Sequence, residues 1–133
     1  MTAPGGEHGT GAIGQLMGIV SGYVISHGNE NIYLAGDTIW CREVQEALDK
    51  YQPDVIVLNG GGARFQAGDA IVMTIPDVLN VCNYAPEAQV LVVHLETVNH
   101  SSETRAQVKA ALASNGLSGR CIVPDDGELI SLY

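Results

Sequence analysis

Two hydrophobic periods alternate along this chain, and their order predicts the elements. From Ile19 to Ser26 (IVSGYVIS) the composition is that of a strand, and His27-Gly28-Asn29-Glu30-Asn31 supplies the turn residues of a hairpin. The run Ile32-Tyr33-Leu34-Ala35 then reads as a short buried strand that delivers Asp37 just past Gly36. Between Cys41 and Tyr51 the period turns helical, with Val44, Leu48 and Tyr51 at i, i+4 and i+7. Asp54 to Leu58 (DVIVL) is a continuous apolar run, as in a strand buried on both faces, and it ends in Asn59-Gly60-Gly61-Gly62. Thr74 is placed to cap a helix with Asp77 three residues on, and Ile75, Val78, Leu79 and Cys82 form its apolar face. Gln89 to Leu95 (QVLVVHL) predicts a further buried strand with His94 at its end. Ser101 or Ser102 caps a last helix in which Thr104, Val108, Ala111 and Leu112 share a face, and Asn115-Gly116 ends it. Arg120 to Pro124 and Glu128 to Leu132 form a closing hairpin around Asp125-Asp126-Gly127. The Gly-rich residues 1–14 predict a loop.

This order describes one α/β domain over residues 1–133, a single mixed sheet with right-handed crossovers between its parallel strands. A length of 133 residues supports one core and not two. With 46% hydrophobic and 16% charged residues, the chain is expected to be globular.

Charge removes one class of partner. Six Lys and Arg against fifteen Asp and Glu give a net charge of −9, with no basic block, which argues against nucleic acid. Cys41, Cys82 and Cys121 are widely spaced and form no CxxC pair, so free thiols in a reducing cytoplasm are expected. No run approaches the ~20 apolar residues of a membrane span, and no signal-peptide pattern is evident.

Candidate chemistry gathers at strand ends, where open α/β sheets hold their ligands. His8, Asp37 and His94 fall where loops and strand ends converge, and imidazole nitrogen with carboxylate oxygen suits zinc, manganese or iron. By spacing alone, a helix-capping Asp and hydrogen-bonded core histidines remain open for these positions. Gly9 to Gly14 matches GxGxxG, but no strand precedes it, which speaks for a loop over a dinucleotide site. The Asn59–Gly62 loop lacks the Lys-Ser/Thr of a phosphate loop and reads as a turn. Ser101 and Ser102 beside His100 suggest a triad on paper, but capping accounts for the serines more simply. Cys41 sits at a helix start, where the dipole lowers a thiol pKa; an ordinary buried thiol is the simpler expectation.

Four runs, IYLAGDTIWCREV, DVIVLNGGGARF, MTIPDVL and VLVVHLETVNHSSETRAQV, resemble the second half of a metallo-β-lactamase-fold hydrolase of the L-ascorbate-6-phosphate-lactonase-like branch. The resemblance implies half of an αββα sandwich: a mixed sheet with helices on one face and a cleft for one or two metal ions. Zinc or manganese is the expected metal, with iron a further option. By resemblance, His8 in EHGTG matches the histidine before the family's hairpin, Asp37 the acid that bridges two metals, and His94 the last histidine. Thr38 and His100 are candidates for orienting these ligands. The family's HxHxDH signature is absent from the sequence. The implied function is a metal-dependent hydrolase relative acting on an ester, lactone or phosphoester through metal-bound water, incomplete on its own. Its metal would be weakly held or absent. The alternative is a non-catalytic remnant, serving as an assembly module or as the partner of a separately encoded N-terminal half. Val55, Val57, Val90 and Val92 are expected on a sheet face needing cover, supplied by a homodimer or by that complementary half.

Overall fold

The computed structural model describes residues 1–11, 14–15, 18, 20–64, 69–96 and 102–131. Two short strands, β1 (Gly5–Gly6) and β2 (Val20–Ser21), pair antiparallel and lead into β3 (Tyr23–His27) and β4 (Glu30–Leu34). The expected hairpin forms between β3 and β4, with Val24 opposite Tyr33. From β4 onward every connection is a crossover. Helix α1 (Arg42–Tyr51) leads to β5 (Val55–Asn59), α2 (Ile75–Tyr84) to β6 (Gln89–Val93), and α3 (Arg105–Ser114) to β7 (Cys121–Ile122). The sheet runs β3-β4-β5-β6-β7, antiparallel at the first pair and parallel at the others. Among the described residues no helix is long and apolar enough to cross a membrane.

Parity assigns the two faces. Val24, Tyr33, Ile56 and Val90 are register partners across four strands, and Leu58 pairs with Val92 two residues on. All six join one core with Val44 and Leu48 of α1, Val78 and Val81 of α2, and Val108 and Leu112 of α3. The three helices therefore cover one face. The opposite parity carries Tyr23, Ile25, Ile32, Leu34, Val55, Val57, Leu91 and Val93, of which Val55 and Leu91 are nonetheless buried. Tyr23 and Ile25 are 46% and 42% exposed, and Ile32, Leu34, Val57 and Val93 are half-buried. The expectation for Val90 and Val92 is corrected here: both lie under the helices and are fully buried. A one-residue difference in register places a residue on the other face.

The helix caps follow their sequence signals with one exception. Thr74 and Asp77 form the capping box of α2. The cap of α3 is Thr104, not Ser101 or Ser102, because Gln107 stands three residues on and closes a capping box with it. Ser101 lies outside the described residues. The closing hairpin is corrected as well. β7 pairs parallel with β6, and Glu128 to Ser131 form no strand; Glu128 turns back on Asp125 through N–H to O at 3.0 Å. At the N-terminus, Gly14 has helical backbone where a loop was expected, with its N donating to Thr10 O at 3.1 Å.

Leu58 is fully buried in the core and Leu129 is 97% exposed. Leu58→Ala should therefore cost about 2–5 kcal/mol of unfolding free energy, and Leu129→Ala less than about 0.5 kcal/mol. Urea denaturation of the two variants reads this directly, and equal midpoints would contradict the assigned faces.

Candidate metal centre

Asp37 reaches the sheet edge because β4 continues just past its last residue, with Ala35 N donating to Val57 O at 3.0 Å. Its carboxylate is 44% exposed. The next residue, Thr38, points the other way and is fully buried. Its Oγ1 accepts from Glu7 N at 2.8 Å and donates to Ile39 O at 3.0 Å, while Ile39 N donates to Glu7 O at 2.7 Å. These bonds stitch the N-terminal segment to the loop after β4 and bring His8 beside Asp37. The approach is close: a Cβ on Gly6 would come within 2.7 Å of Thr38 Oγ1. Thr38 thus acts on the backbone ahead of His8 and not on a ligand side chain.

His8 is held by its far nitrogen. A carbonyl only accepts, so the 2.7 Å contact between Nδ1 and Ile71 O makes Nδ1 the protonated nitrogen. In the neutral ring Nε2 then keeps its lone pair, and it lies 3.9 Å from Asp37 Oδ2. His94 follows β6 directly and places Nε2 3.9 Å from the other oxygen, Oδ1. It does so from a left-handed backbone, φ 67, as does Glu96 at φ 59. Such non-glycine conformations cost of order 1–3 kcal/mol each and persist where surroundings over-determine them. Here Leu95 between them is buried, and Arg105 binds Glu96 Oε2 at 3.1 Å, Pro124 O at 3.2 Å and Asp126 Oδ1 at 2.5 Å.

Asn59, the last residue of β5, completes the group: its Nδ2 donates to Asp37 Oδ1 at 2.7 Å. The structure therefore brings His8, Asp37 and His94 together as expected, and adds Asn59, which had read as part of a turn. The same signal that marked Asp37 and His94, a polar residue ending an apolar strand, was present at Asn59. His100 lies outside the described residues. Ser102 donates its hydroxyl to Gly62 O at 2.8 Å and so serves the loop, not a triad.

The donor chemistry fits a metal ion. The pairs at 3.9 Å are too long for hydrogen bonds, whereas ligand atoms sharing one tetrahedral zinc sit about 3.4 Å apart given zinc–ligand distances of ~2.0–2.2 Å. The two imidazoles face different oxygens of Asp37. Among the described residues, the set of three whose ligand atoms all lie within 4.8 Å of one another is Glu7, Cys41 and Glu43. Burial pushes the Cys41 thiol up and Glu43 adds to the rise, against lowering by the Val44 N–H and Thr38.

Behind the Asn59 loop lies Glu103. Its N–H donates to Gly61 O at 3.0 Å, and its Oε2 accepts from Ile75 N at 3.0 Å. Burial raises its pKa, and Asp77 adds to the rise, against the lowering by the Ile75 N–H and Arg64.

No protein-family model matches the chain. Solved structures do, each over about half of its own length. A "metallo-beta-lactamase fold protein", YhfI of Bacillus subtilis, superposes with a TM-score of 0.67 at 14% identity, covering 96% of this chain and 46% of that one. Much nearer in sequence are the isothiocyanate hydrolase from Delia radicum gut bacteria (32% identity, TM-score 0.90, 97% and 53% coverage) and a possible metal-dependent hydrolase of Veillonella parvula DSM 2008 (33%, 0.91, 98% and 53%). The chain has the metallo-β-lactamase fold, and it spans the equivalent of one half, in agreement with the C-terminal half its motifs resemble. In sequence it is 38% identical over 125 residues to the UPF0173 protein YddR of Bacillus subtilis (strain 168), which accounts for 92% of this chain and 49% of that protein.

Because the folded pKa of Glu103 is raised, its contribution to stability is present below the unfolded value of about 4.3 and is lost as pH rises through the folded value. Glu103→Gln keeps an acceptor for Ile75 N without the buried charge. The melting temperature of Glu103→Gln minus that of wild type should therefore increase from pH 4 to pH 7. A difference independent of pH would rule out the buried charge as its cause.

Proposed function

We propose that this chain is the ligand-bearing C-terminal half of a metal-dependent hydrolase whose centre is completed by a second half-fold packed on the open sheet face. The observation that carries the reading is the way Asp37 is shared: His8 faces Oδ2 and His94 faces Oδ1. Among the described residues each imidazole faces one oxygen of Asp37, and a catalytic zinc usually takes three protein ligands. His8 with Asp37 and His94 with Asp37 are the two partial ligand sets, and the HxHxDH run that would fill them is absent from the sequence. A bound zinc, manganese or iron ion supplies an activated water and polarises the bond to be cleaved.

The residues of this chain do the rest. Asp37 offers both oxygens and a full negative charge, and the Ile71 carbonyl keeps His8 in the tautomer that presents Nε2. Asp37, Asn59 and His94 stand at the carboxyl ends of β4, β5 and β6. An ester, lactone or phosphoester is the substrate class of this reading. The isothiocyanate hydrolase among the similar structures extends the same chemistry, attack of water on an electrophilic centre, to another group. Three buried free thiols support a reducing, cytoplasmic setting. The relatives' length, about twice the matched stretch, supports a partner of similar size on the face of Tyr23, Ile25, Leu34 and Val57; without it, a second copy of this chain is the expected cover. The absent HxHxDH run also favours a second reading, in which the chain assembles but does not catalyse.

Two measurements test this. Protein purified without a histidine tag and equilibrated with zinc or manganese should retain metal that Asp37→Ala loses; equal content in both proteins counts against the centre. In sedimentation equilibrium at tens of micromolar the chain alone should self-associate, and Ile25→Lys should shift it toward monomer. A wild-type monomer would remove the argument from the open face.

A further inference from the structure

We propose that Asn59 is a positioning residue that fixes the rotation of the Asp37 carboxylate; this rests on the reading of Asp37 as a metal ligand. The orientation of the amide is determined by chemistry. A carboxylate oxygen only accepts, so the 2.7 Å contact to Oδ1 identifies the Asn59 atom as Nδ2. Asp37 sits in the loop after β4 with a 44% exposed side chain, and the terminal torsion of an Asp is broad and two-fold. Left alone, its two oxygens would exchange places. The Asn59 bond makes them unequal: Oδ1 accepts from the amide on the His94 side, and Oδ2 stays open toward His8.

Asn59 can act as a fixed point because its backbone is clamped. It is paired with Val93, next to His94, and Gly60 N donates to Val93 O at 2.9 Å. A Cβ on Gly60 would come within 2.7 Å of Val92 Cγ1, so strand and loop are already in contact there. Gly62 N donates to Met73 O at 3.0 Å, and Gly61 O accepts from both Ser102 N and Glu103 N. One strand thereby sets the spacing between the histidine on β6 and the acid after β4. The choice of amide also has a reason. A Lys or Arg here would orient Asp37 equally well but neutralise it, while Asn holds the oxygen and leaves the whole charge for a cation.

The test uses the full chain with zinc and cobalt(II) as probes. Zinc affinity is measured by competition with a chromophoric chelator for wild type, Asp37→Ala and Asn59→Leu, and cobalt(II) spectra are recorded at saturating metal. Removal of a ligand-orienting partner should weaken zinc by about tenfold to a hundredfold. The expected result is this loss in Asn59→Leu together with a changed cobalt(II) absorption spectrum and an unchanged apo melting temperature. If Asp37→Ala abolishes binding while Asn59→Leu binds zinc like wild type with the same cobalt spectrum, the positioning role is overturned and the metal centre stands. If Asp37→Ala binds as wild type does, the metal reading falls and the role of Asn59 with it. Should Asn59→Leu melt lower in the apo form, Asn59→Ser is measured in its place: a wild-type cobalt spectrum there shows a structural residue only, and an altered one supports positioning.

Discussion

The register of three parallel strands decides where Asp37, Asn59 and His94 of the candidate site lie. Leu34 pairs with Val57, Val57 with Leu91, and Asn59 with Val93, so β4, β5 and β6 end close together. Side chains alternate between faces with a period of two, so a slip of one residue would exchange core and open face throughout a strand. What stabilises the register is the burial of Tyr33, Ile56, Leu58, Val90 and Val92 under three helices. Their apolar packing thereby sets the spacing of Asp37, Asn59 and His94, none of which makes a large contribution to the core.

The same alternation produces the open face. Parallel strands normally lie between two covered faces, and in this chain the helices supply one cover. Tyr23, Ile25, Leu34, Val57 and Val93 lie at the opposite parity, with Glu30 opposite His27 at one end of the same face. A monomer gains nothing from such a surface, which costs solubility and adds no core. Among the described residues, Tyr23 and Ile25 stay exposed on this face while Val55 and Leu91 on it are buried, and Asp37 faces one imidazole at each oxygen.

Much of this was legible in the residues, and the misreadings have physical causes. The helix of Val44 and Leu48, the capping box of Thr74 and Asp77, and the apolar runs of β5 and β6 all announced themselves by local pattern. Thr104 displaced Ser102 as a cap because Gln107 stood at the right spacing for a reciprocal bond. The face of Val90 and Val92 was not legible, since a run apolar at every position carries no parity; only pairing with β5 assigns it. The closing hairpin failed for a related reason: β7 found its partner in β6, a non-local choice that the turn residues Asp125-Asp126-Gly127 do not encode. Among the candidate residues, His8, Asp37 and His94 were singled out through motifs, and the structure sets both imidazoles beside Asp37. Asn59 was obscured by the three glycines after it, which favour the reading of a simple turn.

The division of labour within the site follows from what supports each group. His8 is anchored by the Ile71 carbonyl, Asp37 by Asn59, and the strained turn at His94 by buried Leu95 and by Arg105 on Glu96. All of these supports lie within the described residues and hold the three side chains in place. The left-handed backbone at both His94 and Glu96 is a costly arrangement, held by buried Leu95 and by Arg105 on Glu96. It is explained if the position of the imidazole is what the turn preserves.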